Sequence, residues 1–309
     1  MKSKVLLAPL VLGLLTSTSV NAATVSKAAK PKSVKIVALP TLAEGNFFAG
    51  NGGQWFETLL SKGAIYMVGS AEPTTSPTQG EVLAIDPVSG QKIWDLPISG
   101  STDCLATAAT LDASGNIWIA GLSAPVTPTP TPVPTPSGLL NPSGIVVPPR
   151  TPTRADLTLI SLWEVSSRGS LIASYQFSAG KVLEPLAINL VKNSLVISGN
   201  NFHITSDFNG AFTKFVEASF LAPPVSSTQI YKDGLYIWKS FLSKSVISGV
   251  SGWKPKKAGR VILKVGSRTG TIYSAYTVTD PLLRSGFLSG LGLVVTTQSS
   301  TGYKLSLLK

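Results

Sequence analysis

Five short apolar runs recur along the chain, each just behind a cluster of Gly, Asn, Asp or Lys turn residues. They are Ile65-Tyr66-Met67-Val68-Gly69, Ile117-Trp118-Ile119-Ala120-Gly121, Leu195-Val196-Ile197-Ser198-Gly199, Leu235-Tyr236-Ile237-Trp238-Lys239 and Leu293-Val294-Val295-Thr296-Thr297. Runs this short, rich in β-branched and aromatic residues and bounded by turn formers, are strands rather than helices. Their recurrence with similar short segments on either side predicts an all-β chain built by repetition, a single β-propeller.

Sorting the segments by their turns predicts blade one from strands near 54–60, 64–70, 81–85 and 92–97. Blade two follows at 104–111, 116–122, 157–165 and 171–177. Blade three takes 184–190, 194–199, 202–205 and 211–218, and blade four 225–231, 235–240, 261–265 and 271–278. The last stretch supplies only three strands, near 285–288, 291–298 and 303–308. The alternating segment 34–39 is expected to provide the fourth, completing a fifth four-stranded blade from the N-terminal side and removing an exposed edge. An open sheet or a six-bladed ring are the alternatives.

Three connections exceed the short loops typical of such folds: 71–80, 123–156 and 241–260. Each joins the second strand of a blade to the third, so all three emerge on the face that also carries the connections between blades. Insertions gathered on one face of a repeat fold mark a binding face. The blade-two insertion contains alternate prolines from Pro128 to Pro136, which favour an extended polyproline II rod, with a low-complexity spacer as the plain alternative. The blade-four insertion brings Trp253, Lys254, Lys256, Lys257 and Arg260 together. An indole offers a flat stacking surface and the cations attract phosphate or carboxylate, which suits an anionic polymer or a sugar ring. The alternative is a solvated hairpin tip with Trp253 folded back onto its blade.

Composition narrows the setting. Residues 1–22 combine Lys2 and Lys4, an apolar stretch and a small-residue end at Val20-Asn21-Ala22, the pattern of a secretory signal peptide. The apolar stretch is well short of the roughly 20 residues that span a bilayer, so no transmembrane segment is expected in the mature chain. Residues 23–33 are polar and basic without periodicity and are expected to be disordered. Export would permit disulfides, yet Cys104 is the only cysteine, so stability must come from core burial. The formal charge is +11. An exported basic protein meets anionic envelope polymers before nucleic acid. The expectation is therefore an extracytoplasmic monomer, secreted or envelope-associated, that binds or scaffolds an envelope polymer or protein.

Candidate chemistry is sparse. His203, the single histidine, excludes a multi-histidine metal site and sits in a predicted strand. Asp112-Ala113-Ser114-Gly115-Asn116 lacks the oxygen ligands of a calcium loop and reads as a hairpin turn. Asp103, Glu184 and Asp280 fall at or just before first strands, where a propeller opens its funnel, with Gln54, Trp55 and Arg284 at comparable places. Asp103, Glu184 and Arg284 form the second candidate site. Two carboxylates about 5 to 9 Å apart would make a glycoside hydrolase, the enzymatic alternative to a non-enzymatic binding protein. Neither a cofactor nor a metal is expected.

Blade one also holds Ala84-Ile85-Asp86-Pro87-Val88-Ser89-Gly90-Gln91-Lys92-Ile93-Trp94. This resembles the Ala-x-Asp-x-x-Thr/Ser-Gly-x-x-x-Trp repeat of the PQQ-type propellers, a superfamily that includes quinoprotein dehydrogenases and the outer-membrane assembly propeller. The resemblance implies a structural role: Asp86 and Ser89 close a turn, Gly90 relaxes the backbone, and Trp94 packs between blades. Blade four keeps only Ser267-Arg268-Thr269-Gly270, with Ser274 at the tryptophan position. The catalytic aspartate and calcium ligands of the quinoprotein enzymes have no recognisable counterpart, so the resemblance implies the fold without the cofactor.

Overall fold

Two short strands, β1 (Ile36–Ala38) and β2 (Ala43–Asn46), precede the repeats and find their partners near the other end of the chain. Blade one is β3 (Gly53–Leu60), β4 (Ile65–Ala71), β5 (Gln79–Ile85) and β6 (Lys92–Ile98). Blade two is β7 (Cys104–Leu111), β8 (Ile117–Ser123), β9 (Leu159–Val165) and β10 (Leu171–Ser178). Blade three is β11 (Ala187–Val191), β12 (Ser194–Gly199), β13 (Phe202–Ser206) and β14 (Phe212–Glu217). Blade four is β15 (Thr228–Lys232), β16 (Tyr236–Leu242), β17 (Arg260–Gly266) and β18 (Ile272–Val278). Blade five takes β19 (Leu282–Leu288), β20 (Gly292–Gln298) and β21 (Gly302–Leu308). This computed structural model describes residues 34–46, 53–71, 79–98, 103–125, 157–217, 228–233, 236–242, 260–280, 282–298 and 302–309.

Each blade is an antiparallel meander, and the first strands β19, β3, β7 and β11 neighbour one another in that order, as the inner strands of a propeller do. An N-terminal strand completes the fifth blade, as expected, but it is a different strand. Ala43–Asn46 pairs antiparallel with β21, whereas Ile36–Ala38 adds in parallel to β18 and makes blade four five-stranded. The alternation of residues 34–39 correctly marks a strand. The Ala-Glu-Gly-Asn of β2 has little strand propensity and is held by its partner's backbone instead.

The second strands carry the densest burial. All seven residues of β8 are buried, and Ile65, Met67, Ile117, Ile119, Leu195 and Ile197 are fully enclosed. Their closing glycines have a steric purpose. A Cβ on Gly121 would press on the Leu105 carbonyl group and come 3.0 Å from Ala106 Cα, and one on Gly199 would meet the Glu184 carbonyl oxygen at 2.5 Å. The backbone of the same blade's inner strand, or of the segment leading into it, therefore passes directly against these residues.

Bulges recur as well. The registers of β3, β7 and β19 skip at Phe56, Thr107 and Leu283, and those of β6, β10, β14 and β18 skip at Ile93, Ile172, Thr213 and Tyr273. One extra residue at the same point of successive blades adds twist where inner and outer strands need it.

The outer turns lock neighbouring blades together. Asp86 Oδ1 accepts bonds from Ser89 N (2.6 Å), Ser89 Oγ (2.8 Å) and Val88 N (2.9 Å), which hold its carboxyl below the usual aspartate range. Gly90 is left-handed at φ 72°, and a Cβ there would lie 2.6 Å from Leu42 O beside β2. Trp94 covers Gly169 of blade two and donates Nε1–H to Ser167 O at 3.1 Å, and Tyr175 covers Gly210 of blade three. Trp94 thus packs between blades as the turn motif implied. Asp112 Oδ1 likewise accepts from Ser114 N and Asn116 N at 2.8 and 2.9 Å, and its Oδ2 accepts Trp118 Nε1–H at 3.1 Å, so this loop is a hairpin turn.

Candidate functional site

The three insertions leave from equivalent places. They follow Ala71 at the end of β4, Ser123 at the end of β8 and Leu242 at the end of β16, and the chain re-enters at Gln79, Leu159 and Arg260. In antiparallel meanders of common direction these ends share one face with the connections between blades. Trp253, Lys254, Lys256 and Lys257, the proline-rich run, and residues 1–33, read in the sequence as signal peptide and basic tail, lie outside the described residues. Arg260 is described: it opens β17, half-buried, paired with Leu242 on one side and Val278 on the other.

The funnel residues have separate occupations. Asp103 is buried, and its backbone oxygen receives Ala124 N–H at 2.9 Å, tying the start of the blade-two insertion to the entry of β7. Its Oδ1 is sealed from solvent with no hydrogen-bond partner among the described residues. Glu184 is half-buried in the segment before β11. Arg284, half-exposed, reaches across to blade one and pairs with Glu57 at 2.6 Å. Asp280 leans on Lys304 at 3.6 Å between blades four and five. Gln54 is exposed, whereas Trp55 is fully buried and meets Tyr303 edge-on at 5.8 Å. The bulged Phe56 packs on the apolar cluster of blades two and three. No group of three or more His, Cys, Asp or Glu converges among the described residues.

Polar stitches join neighbouring blades. Ser70 Oγ donates to Ala106 O (3.0 Å) and receives Ala106 N–H (2.6 Å); Thr107 Oγ1 donates to Pro185 O (2.7 Å); Thr58 and Thr296 hydroxyls meet at 3.0 Å. Cys104 donates its thiol to Ile98 O at 2.6 Å and accepts Gly80 N–H at 3.3 Å. Burial pushes this thiol up to about 11, with the Asp103 charge adding to the rise, so it is a structural thiol and not a nucleophile.

Between blades four and five lies a groove of about 260 Å³, lined by Thr277, Thr279, Asp280, Thr297, Lys304 and Ser306, with Ala38, Leu39 and Thr41 from the crossover between β1 and β2 and with Val278. Sequence reasoning missed all of these except Asp280. Three distant segments build the groove, so no local spacing announces it.

No protein-family model matches the chain, and no curated protein matches it. Among solved structures it is similar to a protein of unknown function from Bacteroides caccae, at 12% identity and a TM-score of 0.37, over 79% of this chain and 70% of that one. It is also similar to a subtype N10 neuraminidase-like protein of A/little yellow-shouldered bat/Guatemala, at 10% identity and a TM-score of 0.31, over 84% of this chain and 80% of that one.

Proposed function

We propose that this five-bladed propeller is an exported binding or scaffolding protein that engages an anionic envelope polymer, or a protein carried on it, through the face bearing the three insertions. The observation that carries the reading is the shared origin of those insertions at the ends of β4, β8 and β16. The blade-four insertion concentrates Trp253, Lys254, Lys256 and Lys257 in a chain of net charge +11. A rigid scaffold presenting extended loops on one side is how repeat folds build binding surfaces. A hydrolytic centre of that kind would need two carboxylates facing one substrate. Asp103 is buried, and Asp280 is the one carboxylate that lines its groove among the described residues.

The test is co-sedimentation of the protein with purified cell envelope at low and high salt, beside a variant with Lys254, Lys256 and Lys257 changed to alanine. Pelleting that falls both with salt and with the substitutions supports an anionic polymer at that loop, because exposed charges are screened beyond about 10 Å at 0.1 M salt. Absence of pelleting at low salt refutes the polymer reading. Pelleting unaffected by either change moves the contact away from the lysines.

A further inference from the structure

The cleft between blades four and five changes character along its depth. Ile262, Val278, Leu293, Val295 and Leu308 close part of it as a dry apolar cluster, with Leu39 packed against them. The rest is the groove of about 260 Å³, and its lining is dominated by hydroxyls. Thr297 and Ser306 are only 5% and 4% exposed. Their hydroxyls, and those of Thr41 and Thr279, have no hydrogen-bond partner among the described residues, although they line open space. Each hydroxyl therefore keeps both its donor and its acceptor for whatever occupies the groove. Asp280 and Lys304 face each other at 3.6 Å with side chains 34% and 44% exposed, a looser pair than the about 2.7–2.9 Å of a charge-assisted hydrogen bond. Both retain bonding capacity.

We infer that this groove is a binding site for a neutral polyhydroxylated ligand the size of one sugar ring. A Ser or Thr hydroxyl both donates and accepts, which matches the vicinal hydroxyls of a sugar. The Asp280 carboxylate accepts from two such hydroxyls and the Lys304 ammonium donates. Ala38, Leu39, Val278 and the threonine methyls give the ring's C–H face apolar contact. Charge selects against other ligands. One cation opposed by one anion leaves little net attraction for phosphate, and one carboxylate is too few for a calcium ion, which takes about 6–8 oxygens. The volume lies below the about 300–1,000 Å³ of sites for drug-sized molecules, which limits occupancy to a single ring. The crossover between β1 and β2 supplies one wall, so the N-terminal strands build this site as well as completing blade five. The inference stands apart from the lysine-rich insertion and shares no residue with it.

The experiment is saturation-transfer NMR on the full chain with methyl α-glucoside and N-acetylglucosamine as separate probes and inorganic phosphate as competitor. Thr297→Val, which replaces a hydroxyl by a methyl at constant volume, and Ser306→Ala are the variants, each checked for an unchanged urea midpoint. Transfer to the ring protons of either sugar, weakened about fivefold by either variant as for one lost neutral hydrogen bond, is the expected result. No transfer to either sugar would mean a groove filled by solvent only and overturns the inference. Transfer undiminished in both variants places the sugar elsewhere and overturns it too, as does displacement by phosphate. Because envelope pelleting reads the lysines and this experiment reads the groove, failure of one leaves the other standing.

Discussion

Replacing Gly121 by alanine isolates the close backbone passage on which the inner strands depend. Gly121 lies in β8 outside the left-handed region, so alanine adds no torsional strain there. Its new Cβ would press on the Leu105 carbonyl oxygen and lie 2.9 Å from the Leu105 carbonyl carbon and 3.0 Å from Ala106 Cα. All three are backbone atoms of β7, and β7 is held by Ser70 through Ala106, so no flexible side chain can yield. Overpacking a core costs about 1–3 kcal/mol, and movement of a strand rather than a rotamer puts this case near 3 kcal/mol. Gly115→Ala is the matched control. Gly115 is left-handed at φ 85°, with nothing within 4 Å of an added Cβ, so its cost is torsional alone, about 1 kcal/mol. At about 2–4 °C per kcal/mol for a domain of this size, Gly121→Ala lowers Tm by about 6–12 °C and Gly115→Ala by about 2–4 °C. Thermal and urea unfolding followed by circular dichroism measure both. If Gly121→Ala costs no more than Gly115→Ala, the close approach of β7 to β8 does not explain the glycine at position 121.

Three further outcomes follow from the same geometry. Trp94→Ala removes the cover of Gly169, the bond to Ser167 O and the contact with Tyr66, and should cost about 3 kcal/mol by urea unfolding. Trp94→Phe should restore most of that loss but not the bond, worth about 1 kcal/mol. Cys104 ionises near 9.0 when unfolded and about 11 when folded, so the folded state keeps a proton that the unfolded state loses. Its contribution is full below pH 9 and is lost as pH rises through 11, on the order of 2 kcal/mol. Burial raises Tyr66 and Tyr303 in the same direction, so Cys104→Ala should flatten the alkaline fall in Tm without abolishing it. Truncation before residue 34 should leave Tm unchanged, whereas truncation before residue 47 removes β1 and β2, bares the β21 edge and should produce concentration-dependent association on size-exclusion chromatography.

Local pattern decided much of this fold. The runs starting at Ile65, Ile117, Leu195 and Leu293 lie in β4, β8, β12 and β20, because a strand buried on both faces must be a short continuous apolar segment. The run at Leu235 overlaps β16. Turn chemistry was equally legible. Asp86 and Asp112 each cap their own loop through bonds spanning two to four residues, and such bonds are written in adjacent positions. The origin of the three insertions followed from strand counting alone.

What the chain could not disclose locally are the choices made between distant backbones. Residues 34–39 alternate like a strand, but an alternating edge segment does not specify its partner. Tertiary packing placed Ile36–Ala38 on β18 in parallel and left blade five to the unpromising Ala43–Asn46. The same holds for the funnel. Arg284 meets Glu57 across 227 positions, so a residue read as a ligand contact became a tie between blades. The hydroxyl groove exists only because residues 38–41, 277–280 and 297–306 converge in one cleft. Periodicity determines which residues face a core, since that depends on neighbours within a few positions. Which cores meet, and which polar atoms remain unpaired where they meet, depends on the closing of long loops and is settled only in three dimensions.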